Sequence, residues 1–186
     1  AGKLVASELE RLTKQFTGGS PDSRSQFLRE LGIVLRRVRA SWLYGGAINE
    51  PMRSLGEARA VAAKHTDDAR VHGSDVGDGT GLVVLTVVVT ARGELMSVDH
   101  IGAEELRRAL EAASYRDPNE LVEIQIVARR FSSRDELEQA YPSPQLVALS
   151  APGGSQIYCQ HCGGPFPQEL TTCPHCGAPA RRERAA

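Results

Sequence analysis

Four cysteines near the C-terminus are the side chains whose type and spacing point most directly to chemistry. They form two pairs, Cys159 with Cys162 and Cys173 with Cys176, and two residues separate the members of each pair. That separation lets one tight turn aim both sulfurs at a single metal ion about 2.3 Å away, and two such pairs supply four thiolates. The spacing therefore predicts one structural zinc ion and a C-terminal zinc ribbon over residues 156–180.

The residues around the cysteines favour the same interpretation. Gly163 and Gly177 follow the second cysteine of each pair, where a positive φ lets backbone amides point at the thiolates. The main apolar side chains of the ribbon are Tyr158, Phe166 and Leu170, which are too few to hold so short a segment folded. Zinc binding contributes roughly 10–16 kcal/mol in comparable peptides, which is enough to fold the segment.

Two other chemistries use paired cysteines. A redox pair is expected at a strand-to-helix junction, and iron–sulfur sites usually have other spacings. His161 and His175 lie inside the pairs as alternative ligands, but four thiolates fill the tetrahedron and leave no position for a reacting water. The zinc is therefore predicted to be structural, with no catalytic residue and no organic cofactor. Cysteines confined to one tail also favour metal in a reducing compartment over the disulfides of a secreted protein.

Two further groups of residues contain ligand types. The segment Gly77–Gly81 is rich in glycine, but it precedes a predicted strand and lacks the Lys-Ser/Thr pair of a phosphate-binding loop. His65, Asp67, Asp68 and His72 contain the ligand types of a second metal site. We therefore predict no phosphate site at the glycine-rich segment. Because histidine and aspartate are ordinary residues of polar loops, we predict no second metal site either.

The spacing of apolar residues and the positions of glycine and capping residues divide the chain into several parts. Apolar residues at helical spacing predict three helices in the first third, with caps at Ser20 and Ser54 and an end to the second helix at Gly45–Gly46. The predicted parts are a helical segment (1–64), a polar loop (65–81), an α/β domain (82–150), a linker (151–155), the zinc ribbon (156–180) and a tail (181–186).

The α/β domain alternates strands with helices. Its predicted elements are an apolar strand covered on both faces (Leu82–Ala91), a short hairpin partner (Leu95–Val98), a helix (Ala103–Ala113), an alternating strand (Val122–Ala128), a short helix capped by Ser133, and a final strand (Gln145–Leu149). This order favours right-handed crossover connections. The predicted fold class is therefore α+β, with N-terminal helices packed on a small mixed β-sheet with crossover helices, plus the C-terminal zinc ribbon. Trp42 is expected to be buried against this sheet; the alternative is an exposed interface anchor.

Charge is distributed unevenly along the chain. The net charge is −1, but residues 1–66 carry eleven basic and six acidic groups, whereas residues 67–150 carry eight basic and fifteen acidic groups. A basic first third is able to attract an anionic partner. Surface charge of this kind is more commonly solvated or paired within the fold, so nucleic acid is not expected as the main partner.

Several segments resemble a known family. Trp42–Gly46, Val83–Arg92, Glu105–Leu110 and Asp135–Pro142 follow one another in an arrangement similar to the uncharacterised family called domain of unknown function 1517, which occurs in bacteria, cyanobacteria and plastids. The likeness covers about residues 25–150, and the four-cysteine ribbon is an addition to it. The resemblance implies the α+β fold and carries over no catalytic residue. Many members resemble membrane-anchored proteins with an upstream segment.

These observations favour a non-enzymatic, bacterial, cytoplasmic protein that acts as a protein-interaction adapter or assembly factor, with protein partners. The alternative is a weakly specific nucleic-acid-binding protein, and a third is an enzyme with an unrecognised site. The longest apolar run, Leu82–Val89, is far shorter than the roughly 20 residues of a membrane helix, so no transmembrane segment is predicted. Association with a membrane on its reducing side would need a segment upstream of Ala1.

We predict that the protein binds DNA and RNA no more tightly than about 1 μM at physiological salt and without sequence preference. The acidic middle of the chain offsets the basic third, and aromatic side chains for base stacking are few. An anisotropy titration over several DNA and RNA probes measures this. Binding well below micromolar with a clear preference for one probe would instead support the nucleic-acid-binding alternative.

Overall fold

The computed structural model describes eleven stretches of the chain. They are residues 7–8, 11–12, 14, 19–38, 42–76, 81–143, 145–149, 156–158, 165–167, 170–173 and 177–179. The predicted linker 151–155 and tail 181–186 lie outside the described residues. Residues 7–8, 11–12 and 14 are helical, within the first predicted helix.

The described elements confirm a mixed α+β fold. The helices are α1 (Pro21–Arg37), α2 (Leu55–Val71), α3 (Ala103–Ser114) and α4 (Arg134–Ala140), with a short 3-10 helix at Pro118–Glu120. The strands are β1 (Tyr44–Gly45), β2 (Ser74–Asp75), β3 (Leu82–Ala91), β4 (Leu121–Phe131), β5 (Val147–Ala148), β6 (Gln156–Tyr158) and β7 (Pro165–Pro167). Short local signals begin three of the helices, since the hydroxyls of Ser20, Ser54 and Ser133 each accept a hydrogen bond from a backbone N–H three residues later.

The central sheet has the strand order β2-β4-β3, and β4 pairs antiparallel with both neighbours. The predicted mixed sheet with crossover helices is therefore wrong for the described strands. The physical reason lies in the connection between β3 and β4, which returns to the end of the sheet where it starts. Ala91 lies opposite Leu121, and the Arg92 N–H donates to the Glu120 carbonyl at 2.8 Å. β3 and β4 are therefore joined as an antiparallel hairpin whose long connection contains α3.

One face of the sheet packs against α1 and α3. Leu28 and Leu31 of α1 are fully buried and form a cluster with Leu121 and Ile124 of β4. Alternate residues of β3 complete this layer, because side chains two positions apart share a face. The partly buried side chains packed against the cluster are Leu35, Leu85, Val87, Val89, Ala91, Leu110, Ile126 and Ala128.

The other face packs against α2, which contacts both β3 and β4. Its buried residues, Ala62, Thr66 and Ala69, are small, so the helix lies close to the sheet. The Thr66 hydroxyl is satisfied within the helix by donating to the Ala62 carbonyl at 2.8 Å. The helix continues to Val71, so the predicted loop over 65–81 is wrong in its first part. The sequence pattern hid this extension because its inward positions carry no large apolar side chain.

Three smaller predictions also differ from the structure. The stretch Leu95–Val98 forms no strand, and the last strand, β5, pairs with β1 rather than with the central sheet. Helix α1 ends at Arg37 instead of reaching Gly45–Gly46. Gly45 is buried, and a Cβ there would displace the ends of the Leu106 and Leu149 side chains, so β1 packs closely against both leucines.

We predict that Leu31→Ala lowers the free energy of unfolding by about 2–5 kcal/mol, because it leaves a cavity in the main core. Its matched control is Ile33→Ala on the same helix, where the side chain is 41% exposed, and the expected change is within about 0.5 kcal/mol. Urea denaturation followed by circular dichroism measures both values. Equal losses in the two variants would contradict the described packing of α1.

Candidate metal centre and surface groove

The segment that contains the second cysteine pair is described at its two ends, residues 170–173 and 177–179. Cys173 is 1% exposed, and its N–H donates to the Ala178 carbonyl at 2.7 Å. The Gly177 N–H donates to the Cys173 carbonyl at 2.9 Å, and Thr172 forms an antiparallel bridge with Pro179. Gly177 has φ +74°, which confirms the predicted left-handed conformation at this position. The two described ends of the segment are therefore held close together by backbone hydrogen bonds.

The first cysteine pair falls between two short strands. β6 and β7 pair antiparallel, with Tyr158 opposite Pro165. Cys159, Cys162 and Cys176 lie outside the described residues, as do His161 and His175.

The four residues with the ligand types of a second metal site, which the sequence does not predict, lie along α2 and directly after it. His65 lies on α2 with its Nε2 3.5 Å from Glu50 Oε2, and Asp67 pairs with Arg70 on the same helix at 2.9 Å. Asp68 is also on α2, and His72 follows its last residue. The glycine-rich residues 77–80 are not among those described. Across the described ranges, no group of three or more histidine, cysteine or acidic side chains is placed to hold a metal ion.

A shallow groove lies between α1 and α3 on the outer side of the helix layer. Sequence analysis did not single it out. Its lining residues are Arg29, Gly32, Ile33, Leu35, Arg36, Trp42, Arg107, Leu110, Glu111 and Tyr115. Ile33 is 41% exposed and Tyr115 is 70% exposed. Trp42 is half-buried beside α1 and α3 and lines this groove, so the predicted burial holds only in part.

Hydrogen bonds between α1 and α3 hold the two sides of the groove together. The last carbonyls of a helix have no partner within it. At the end of α3, the Ser114 carbonyl accepts from Arg29 Nε at 3.2 Å and from Ser25 Oγ at 3.4 Å. The Arg29 guanidinium also lies 5.5 Å from the centre of the Tyr115 ring, within the range of a cation–π contact. The groove is thus a built feature of the α1–α3 packing.

Charge differs between the two sides of the groove. On the α3 side, the Arg107 guanidinium donates hydrogen bonds to the carboxylates of Glu104 and Glu111. These bonds, the one to Glu104 most of all, raise the pKa of Arg107 above its ordinary value. That arginine is therefore neutralised by its own helix. On the α1 side, Arg29 and Arg36 are exposed and leave this edge positive. The groove combines an apolar and aromatic floor with one cationic edge.

Gly32 opens the floor of the groove. It lies in the interior of α1, yet a Cβ built at this position meets no atom within 4 Å. The neighbouring apolar stripe of α1 contains large side chains, so glycine stands out within it. A glycine inside a strong helical pattern was the sequence signal that could have indicated the groove.

The family of the protein is shown by its sequence. Residues 1–146 match a family described as Protein of unknown function (DUF1517). The chain belongs to this family. No curated protein matches the chain, and no solved structure does. The α1–α3 groove lies entirely within the part of the chain that matches DUF1517, whereas the cysteine pairs lie beyond it.

Two further findings concern the described residues as a whole. Among them, no helix combines the length and the apolar character needed to cross a membrane.

At the far end of the sheet, burial raises the pKa of Tyr141, and the nearby Thr86 hydroxyl and Arg129 guanidinium oppose that shift. The Tyr141 ring packs edge-on against Phe131 with centroids 5.9 Å apart, so the side chain has a packing role.

We predict that the DUF1517 protein loses stability as the pH rises above about 10, the ordinary pKa of tyrosine. The folded state holds the neutral form of Tyr141, so its contribution is complete below the unfolded pKa and is lost as pH rises through the higher folded pKa. Tyr141→Phe removes this part of the pH dependence, and Tyr115→Phe at an exposed site does not. Urea titrations from pH 8 to pH 11 measure it; identical pH profiles for both variants would contradict the shift.

Proposed function

We propose that this DUF1517 protein is a non-enzymatic adapter that binds a segment of a partner protein in the α1–α3 groove. The residue types that line the groove support this proposal. Tryptophan, tyrosine and arginine are the residues most enriched at the energetic centres of protein interfaces, and Trp42, Tyr115 and Arg29 stand together here. Ile33, which also lines the groove, adds an exposed aliphatic side chain.

The observation that carries the proposal is the open space over Gly32. Glycine in a helix interior destabilises the helix by roughly 0.5–1 kcal/mol relative to alanine. No atom of the described chain occupies the place of the missing Cβ, so internal packing gives no reason for glycine there. Close approach of a partner's backbone or side chain to α1 is a physical reason for it.

The chemistry of the groove indicates the kind of segment that would fit. The partly exposed Trp42 and Ile33 offer an apolar surface for one or two aliphatic or aromatic anchors. Arg29 and Arg36 favour carboxylates on the flank that faces α1. We therefore propose an amphipathic partner segment with apolar anchors and acidic residues beside them.

The test of this proposal uses the space over Gly32. Gly32→Leu is expected to fold about as stably as the natural chain, because leucine is a better helix former and its Cβ meets no neighbouring atom. It should block the groove and reduce partner recovery at least about tenfold, since filling a well-packed contact costs 1–3 kcal/mol. Affinity purification from native cells after nuclease treatment, with quantitative mass spectrometry, measures the recovery.

The matched control is Gly56→Leu. Gly56 is also a helical glycine with free space around its Cβ position, but it lies near the start of α2, outside the groove. Partners lost with Gly32→Leu and retained with Gly56→Leu support the groove. Equal recovery with both variants would contradict the proposal, and loss of every partner on nuclease treatment would favour the nucleic-acid-binding alternative.

We also propose that Cys159, Cys162, Cys173 and Cys176 bind one structural zinc ion, which folds the C-terminal ribbon as a second surface. The buried Cys173 and the left-handed Gly177 support this, because both are features of a cysteine turn closed on a metal. The antiparallel pairing of β6 with β7 also fits a ribbon.

We predict one zinc per chain in the purified protein and less than about a tenth of that in Cys173→Ser, since three remaining thiolates lose most of the affinity. The matched control, Thr171→Ser, changes an exposed neighbour and should keep the zinc. Elemental analysis measures the metal, and circular dichroism of the body should be nearly unchanged in both variants. Finding no metal, or finding iron, would contradict this part of the proposal.

A further inference from the structure

Strand β3 forms one edge of the central sheet. The order β2-β4-β3 leaves its outer side without a strand partner among the described residues. In an antiparallel pair, about half of the N–H and C=O groups of each strand point away from the partner strand. Across the described residues, no backbone hydrogen bond from another element reaches these outward groups of β3. Within the described part of the chain, the outward groups along the ten residues of β3 are therefore available for pairing.

This edge lacks the features by which proteins prevent such pairing. Natural edge strands are usually short, or carry charges, prolines or bulges that stop another strand from adding. The sequence of β3, LVVLTVVVTA, contains no charge and no proline, and its bulge is at the last pair, Thr90/Ala91. Apart from Thr90, every residue of β3 is partly exposed although helices pack on both faces. An edge of this kind is expected to be covered in the working protein.

The opposite edge of the sheet is covered in part, and its strand β4 carries the charged residues Glu123, Arg129 and Arg130. β2 covers β4 at Arg129 and Arg130. At the other end of β4, Arg24 Nε donates to the Leu121 carbonyl at 2.8 Å, which occupies that acceptor with a side chain. The two edges are thus unlike, and head-to-tail growth of the sheet into a filament is disfavoured. Pairing that closes after two chains needs the same edge, β3, from both.

We infer that β3 pairs antiparallel with β3 of a second copy of this chain, across a twofold axis perpendicular to the sheet. The strand is complementary to itself in this arrangement. With the axis at Thr86, Val84 lies opposite Val88, and Leu85 lies opposite Val87. Pairs of β-branched and aliphatic side chains stabilise antiparallel sheets, and no like charges meet. The strand is already ordered by β4, so pairing two copies costs less conformational entropy than ordering a flexible peptide.

The resulting dimer has one continuous six-stranded sheet in the order β2-β4-β3-β3-β4-β2. This inference goes beyond the adapter proposal and does not depend on it, because the groove lies between α1 and α3 rather than on the sheet edge. A dimer would present two grooves, and a partner with two binding segments would gain avidity from them.

The first test is the mass of the full-length protein in solution. Sedimentation equilibrium from about 1 to 200 μM, a range that spans ordinary dimer affinities, is expected to show twice the chain mass of 20.1 kDa at its upper end. A chain that stays monomeric over the whole range would overturn the inference.

The second test locates the interface by hydrogen exchange at the two ends of that concentration range. The outward amides of β3 should exchange up to about 100-fold more slowly at 100 times the dimer dissociation constant. Amides of β4 and α2 should change much less, because their bonds are already made within one chain. A dimer whose β3 amides exchange equally at both concentrations would also overturn the inference.

Proline at two successive positions supplies a matched pair of variants. In Val87→Pro and Val88→Pro, one proline removes an N–H that points to β4 and the other removes an N–H that points outward. The outward variant should keep its circular dichroism and become monomeric, and the inward variant should lose stability. If both variants fold natively and both remain dimeric, the inference is wrong. If both unfold, the hydrogen-exchange measurement on the natural chain decides.

Discussion

The antiparallel ladder between β3 and β4 is the interaction on which the other layers depend. It joins residues 82–91 to residues 121–131 in one register, broken only at its last pair. Because side chains alternate between faces, the register decides which residues meet α1 and which meet α2. A slip of one residue would place Glu123 and Gln125 in the apolar layer that Ile124 now occupies. The register of this pairing therefore decides against which residues each helix packs.

The same ladder sets the position of the groove. Arg116 ties the two ends of the α3 excursion together, since its Nη2 donates to the Arg92 carbonyl at 2.9 Å and lies 2.8 Å from Glu120 Oε2. Another hydrogen bond from Arg116 reaches the Glu94 carbonyl. With both ends fixed, α3 lies beside α1, and Ser114 receives the hydrogen bonds from Ser25 and Arg29. The groove is the outer surface of this constrained pair.

Local signals in the sequence were sufficient for many elements. Ser54 illustrates this, because its hydroxyl accepts from Glu57 N–H at 3.2 Å, and Glu57 in turn accepts from Arg53 N–H at 3.0 Å. These contacts span only a few residues, so composition and spacing predict them. The left-handed Gly177 was predictable for the same reason. Both are consequences of backbone stereochemistry within one turn.

Features that depend on distant parts of the chain were not predictable in this way. The order strand–helix–strand is compatible with a crossover or with a return to the same end, and only contacts such as Arg92 with Glu120 decide between them. The extension of α2 depends on small residues fitting a sheet that the sequence pattern does not display. Trp42 is a large apolar residue that the pattern assigns to the core, and its half-buried place in the groove depends on how α1 and α3 pack together.

The central claim is that the α1–α3 groove is where this DUF1517 protein meets its partner. A photo-reactive benzoylphenylalanine in place of Tyr115, which is 70% exposed at the rim, tests that claim inside cells. The control carries the same group in place of Val71, which is 77% exposed at the end of α2. Our account predicts light-dependent adducts of defined mass from position 115 and none from position 71. Adducts of equal yield at both positions, or none at position 115, would contradict it.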